Sequence, residues 1–110
     1  MAKGELLGGF EQLMLLAILR LGDNAYGVTI RKEMEAGAQR AIASGAIYAT
    51  LERMLEKGYI SSREGEPVPT RGGRPKVYYR VEAPGLAALS AWEATQRRMK
   101  HGLKLAQVLR

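Results

Sequence analysis

The chain has 110 residues, about the size of one domain, and 46% of them are apolar, enough to form a hydrophobic core. It has no cysteine, which excludes disulfides, thiolate metal sites and cysteine nucleophiles. Its net charge of +6 points toward a polyanionic partner.

That charge is unevenly placed. Residues 1–43 carry five basic and five acidic side chains, and residues 44–60 carry two of each. Residues 61–82 carry five basic against three acidic, and residues 83–110 five against one. Arg71 to Arg80 holds four cations and no acid. The longest apolar run, Leu13 to Leu19, falls short of the ~20 residues needed to span a bilayer. No signal-peptide pattern is visible, so a cytoplasmic location without membrane contact is expected.

Gly4 to Gly9 is a glycine-punctuated lead-in. Phe10 to Leu21 is apolar nearly all round, which predicts a helix buried on most of its surface. Gly22, Asp23 and Asn24 make a turn, and Tyr26 to Glu35 reads as a second helix with Val28, Ile30 and Met34 available for the core. Gly37 to Ala43 is a connection.

The third helix is the centre of the pattern. Ile47, Leu51, Met54 and Leu55 share one apolar stripe, and Ser44, Gly45, Ala46, Tyr48 and Ala49 form a small or flat, mostly uncharged surface near its start. Ser44 is the expected N-cap and Gly58 the left-handed stop.

Tyr59 to Arg63 predicts a short strand, Gly65 to Pro75 a loop, and Val77 to Val81 a returning strand that alternates Val77, Tyr79 and Val81 against Tyr78 and Arg80. The loop makes the hairpin tip positive. From Ala83 a last helix is expected to run nearly to the C-terminus, with Leu89, Trp92, Gln96, Met99, Leu103 and Ala106 at coiled-coil spacing. Pro84 is tolerable in its first turn, and Gly102 is expected only to weaken it, by about 1 kcal/mol. A seam that outruns the compact body calls for a second subunit.

The expected fold is therefore mainly α with a small β-hairpin: a winged helix-turn-helix DNA-binding domain over residues 1–82 with a C-terminal dimerisation helix over residues 83–110. YGVTIRKEME, GAIYATLERMLEKGYISSR and RGGRPKVYYRV, in that order, resemble the PadR-type transcriptional regulators, especially the short members with a single C-terminal helix. The likeness runs from about Phe10 to Trp92. It implies a homodimeric bacterial repressor of nearby genes that binds double-stranded DNA. One departure lies at the last helix: the family usually caps it with threonine, whereas Glu82 and then Pro84 stand here.

The expected DNA-contact set is Tyr26 and Gly27 at the amide end of the second helix; Ser44, Gly45, Ala46, Tyr48 and Ala49 on the third; and Arg71, Gly73, Arg74 and Lys76 in the wing. A phenol can bond a phosphate or pack on a base edge, and arginines flanked by glycine can enter a narrow minor groove. Each has a plainer reading: helix-start packing for Tyr26 and Gly27, a half-buried tyrosine with a wet hydroxyl for Tyr48, and a solvated loop for the wing. Trp92 reads either as an ordinary seam residue beside Leu89, Gln96, Met99 and Leu103 or, as in some short PadR-type proteins, as the wall of a cavity for a small aromatic ligand.

Catalysis has little to work with. His101 is the only histidine, sits among cations and reads as solvated. No metal-ligand spacing or phosphate-binding glycine loop is present, so no enzyme and no cofactor is expected. The alternative from another class is a winged-helix protein-interaction module without an effector, whose apolar last helix docks a partner.

Overall fold

In the computed structural model, which describes residues 6–67 and 75–108, the chain runs through α1 (Gly9–Leu21), a 3-10 turn (Gly22–Asn24), α2 (Gly27–Ala38), α3 (Ser44–Glu56), β1 (Ile60–Pro67), β2 (Pro75–Val81), α4 (Ala83–Lys100) and α5 (Leu105–Val108). The two strands form an antiparallel hairpin that flanks a mostly helical body.

Helix α1 supplies Met14, Leu15, Ala17 and Ile18 to the core, as its nearly all-round apolar sequence predicts. It stops at Gly22, whose positive φ of 58° is easy only for glycine. Helix α2 ends three residues later than expected. Gly37 stays helical, where a Cβ would lie 3.6 Å from the Leu13 side chain on α1, and the end comes at Gln39, which takes the left-handed conformation with φ 57°. Glu35 fastens the connection by accepting the Ile42 amide at 2.8 Å.

On α3 the apolar stripe holds: Ile47, Leu51 and Met54 are buried, Leu55 packs partly against them, and Thr50 is enclosed beside them. Each apolar side chain of this size contributes about 1.5–3 kcal/mol on leaving water. Ser44, however, is not the cap. Ala43 occupies that position in extended backbone, without a side-chain bond, and Ser44 is the first helical residue. Its hydroxyl is engaged by Arg31 instead.

The C-terminus of α3 closes as expected. Gly58 has φ 75°, the Gly58 amide donates to the Leu55 carbonyl at 3.0 Å and the Tyr59 amide to the Met54 carbonyl at 3.0 Å. This paired arrangement is the Schellman motif.

Strand β1 runs on to Pro67, beyond the expected end at Arg63, with a register irregularity between Glu64 and Pro67. A two-stranded hairpin has only edges, so proline's missing donor does no harm there. Gly65 is required in that stretch, since a Cβ on it would lie 2.6 Å from the Tyr78 ring. On β2, Val81 is buried and Tyr79 half-buried, but Val77 is exposed, so the expected alternation fades toward the tip.

Helix α4 starts at Ala83 with Pro84 in its first turn. Glu82 precedes it without capping it through the side chain: the carboxylate turns back to accept from the Ser61 hydroxyl and from Arg80. Gly85 is buried because the Tyr59 carbonyl occupies the place its Cβ would take. Ala88, Leu89 and Trp92 pack against the core.

The expected long final helix is corrected here. Gly102 adopts φ 83° and breaks the helix after Lys100, so Leu103 lies in the turn that follows, off the α4 seam. Ala106 belongs to the separate, short α5. Glycine's freedom in the left-handed region favours a break over mere weakening once the segment has no neighbour in its own chain. No helix among the described residues is long and apolar enough to cross a membrane.

Candidate nucleic-acid interface

Three elements converge beside the start of α2. The backbone just before it runs along β2: the Tyr79 amide donates to the Ala25 carbonyl at 2.8 Å, and Tyr26 forms an antiparallel bridge with Tyr78. Tyr26 then stands at the N-cap of α2, its own amide donating to the Thr29 hydroxyl at 3.0 Å. Thr29 passes that hydroxyl proton on to the Asn24 carbonyl at 2.6 Å. The turn is tied down while the first amides of α2 point outward.

A groove of ≈ 380 Å³ opens there, lined by Tyr26, Gly27 and Val28, by Tyr48 of α3, and by Pro75, Lys76, Val77 and Tyr79 of β2. The Tyr48 side chain is half exposed and crosses from α3 to lay its hydroxyl over the Gly27 backbone. Ser44, Gly45, Ala46 and Ala49 are also exposed on that helix, so the surface expected to be presented is presented. Tyr79 lies behind it: burial pushes its phenol pKa upward, and the neighbouring Tyr48 and Glu52 add to the rise. It stays protonated, a hydrogen-bond donor at any physiological pH.

Lys76 is not a freely swinging cation. Its ammonium sits 4.3 Å from the Tyr26 ring centroid, within range of an appreciable cation–π attraction. Tyr26 meets Tyr78 edge to face, with ring centroids 5.5 Å apart, and the Arg63 guanidinium covers Tyr78 at 4.8 Å. Arg63, Tyr78, Tyr26 and Lys76 therefore form a continuous ladder from the hairpin to the α2 N-terminus. Sequence reasoning noted Tyr78 only as the far face of a strand, since the Tyr26–Tyr78 pairing is long-range. Of the wing residues expected to touch DNA, Arg71, Gly73 and Arg74 lie outside the described residues.

A second feature absent from the sequence reading holds α3 from behind. Glu11 on α1 is buried and accepts from Lys57 at 3.0 Å, from Arg53 at 3.4 Å and from the Gly8 amide at 3.4 Å. Burial alone would raise its pKa, but those donors and charges outweigh it and hold the carboxyl below the ordinary value of 4.5.

Along α4, Leu89, Trp92 and Gln96 are half-buried and Met99 is 72% exposed. The Trp92 indole nitrogen is enclosed and has no hydrogen-bond partner among the described residues. A slightly larger cleft of ≈ 400 Å³ lies between the end of α1 and the hairpin, but it carries no residue of α2 or α3. Among the described residues no group of three acidic or histidine side chains is placed to hold a metal ion.

The chain and its fold resemble proteins of known class. A profile of the transcriptional regulator PadR-like family matches residues 15–91. A PadR family transcription regulator from Clostridium difficile is 27% identical, with a TM-score of 0.65 over 93% of this chain and 100% of that one. A transcriptional regulator from Clostridium thermocellum is 25% identical, with a TM-score of 0.62 over 86% of this chain and 92% of its own. A PadR family regulator from Eggerthella lenta is 25% identical, with a TM-score of 0.64 over 88% and 80%. No curated protein sequence matches significantly.

Proposed function

Because the chain belongs to the PadR-like family of transcriptional regulators, and so acts on DNA and not as an enzyme, we propose that it is a homodimeric repressor of an inverted-repeat operator. The observation that carries this is the placement of Tyr48: exposed on α3, seated over the open end of α2 and flanked by Lys76. Each α3 enters a major groove, the α2 amide end meets a phosphate, and the wing follows the flanking backbone. Arg71, Gly73 and Arg74, outside the described residues, belong to the proposed contact set as well.

Dimerisation is assigned to α4. Met99 is apolar and exposed, and one chain leaves it uncovered. Two-fold symmetry then sets the two half-sites about one or two helical turns apart. The effector reading attaches to Trp92, whose enclosed, unpaired N–H supports a small aromatic ligand bearing an acceptor.

Protection of the promoter of the protein's own gene, repeated across a salt series, is the test. The expected result is a protected inverted repeat whose affinity falls steeply with salt through counterion release. Absence of any protected repeat there and at adjacent genes, or an affinity indifferent to salt, would favour a protein-docking module.

A further inference from the structure

Arg31 is the cation whose surroundings are least accounted for. Arg20, Arg53, Arg80 and Arg97 each lie within 4.0 Å of a carboxylate. Among the described residues Arg31 has no such partner; its Nη1 donates to the hydroxyl of Ser44 at 2.8 Å, and its Nε is enclosed without an acceptor.

The bond spans the helix-turn-helix, from the middle of α2 to the first residue of α3. It also runs against simple electrostatics, because it brings a cation to the positive end of the α3 dipole. Ser44 would ordinarily serve as a cap, yet here its hydroxyl is spent on Arg31 while Ala43 stands at the cap position. Two local preferences are given up for one cross-helix contact. Such exceptions gather at functional positions.

We propose that Arg31 is a positioning residue for DNA recognition: through Ser44 it fixes where the first turn of α3 stands relative to α2, and with it the aim of the exposed residues that follow. The core holds α3 through Ile47, Leu51 and Met54, of which only Ile47 belongs to the first turn, at its close. Ahead of Ile47, Ser44, Gly45 and Ala46 are exposed and bury no apolar side chain, and Arg31 gives that end of the helix a polar anchor. This inference rests on the regulator reading above and adds a determinant of specificity that the expected contact set did not contain.

The experiment begins by selecting a preferred duplex from a random library with the wild-type protein. Affinities for that duplex and for a scrambled one are then measured for Arg31→Met, Ser44→Ala and the double variant. Each single substitution is expected to lower the ratio of the two affinities about tenfold, the worth of one charge-assisted hydrogen bond. The double variant should lose no more than either single one, because both act through the same bond.

Additive losses would overturn the inference. So would an Arg31→Met protein with an unchanged ratio and a salt slope reduced by about one, which marks a direct phosphate contact. If Arg31→Met fails to fold, Ser44→Ala on its exposed hydroxyl decides alone, and an unchanged ratio there overturns the inference. A wild-type protein that enriches no sequence removes the regulator reading itself, a result distinct from every one of these.

Discussion

The hydroxyl of Tyr48 occupies the space in which a side chain on Gly27 would stand. The two residues belong to different helices, yet the glycine sets the rotamer of the phenol. Gly27→Ala should therefore push Tyr48 off the α2 N-terminus and lower affinity for a selected duplex about tenfold, while thermal stability changes by less than about 1 kcal/mol. Pairing it with Tyr48→Ala gives the check. The double variant should bind no worse than Tyr48→Ala alone, and additive losses would separate the two residues.

Tyr48→Ala should lower specific binding at least tenfold and Ala49→Glu should abolish it, yet both should leave stability within about 1 kcal/mol, since both positions are exposed. Leu51→Ala, at 1% exposure, should instead cost about 2–5 kcal/mol by opening a core cavity. Denaturant melts alongside binding curves distinguish the two classes. A Tyr48→Ala protein that unfolds would refute the placement of that ring.

Lys76→Ala removes the cation stacked on Tyr26. Affinity should fall by a similar factor on all duplexes, and the slope of log affinity against log salt should flatten by about one unit. A wild-type slope in this variant would make Lys76 a purely structural partner of the tyrosine ladder.

The carboxyl of Glu11 titrates below its ordinary value in the folded chain, so the unfolded chain takes up the proton more readily. Glu11 therefore adds stability that is fully present above pH ~5 and is lost as pH falls through its folded pKa. Glu11→Gln should be destabilised by about 1–3 kcal/mol at neutral pH. It should also lose stability less steeply than wild type on acidification below pH ~5. Parallel acid limbs in the two proteins would remove Glu11 from the account.

Met99→Asp should yield monomers in sedimentation, because a carboxylate in an apolar seam costs several kcal/mol unless paired. Leu103→Asp should do so less completely, as Leu103 stands past the break at Gly102. Operator affinity should drop with the dimer, since the second half-site then binds without the benefit of effective concentration.

What could be read from the sequence was set by local rules. Ile47, Leu51 and Met54 repeat at helical spacing, and the Gly58 stop needs only its neighbours, so α3 was legible at both stripe and end. Its start was not, because Arg31, thirteen residues away, takes the Ser44 hydroxyl. Gly65 looked like loop and is strand, because its missing side chain makes room for the Tyr78 ring from across the hairpin. Glu11 carries no signal in the sequence, because only the fold brings Arg53 and Lys57 to it. The regular spacing of Leu103 concealed the break at Gly102, because periodicity reports which face a residue would take and not whether the helix persists to reach it.

Tyr59 is shared by two helices. Its amide closes the end of α3 on the Met54 carbonyl, and its own carbonyl receives the Glu82 amide at 2.9 Å and lies against Gly85 at the start of α4. The hairpin separates the two helices in sequence, yet this one residue bonds to both. A tilt of α4 would pull on the C-terminal end of α3 through Tyr59, as a lever turns about its pin. A substituent on Gly85 would jam the pin and hold the lever at another angle.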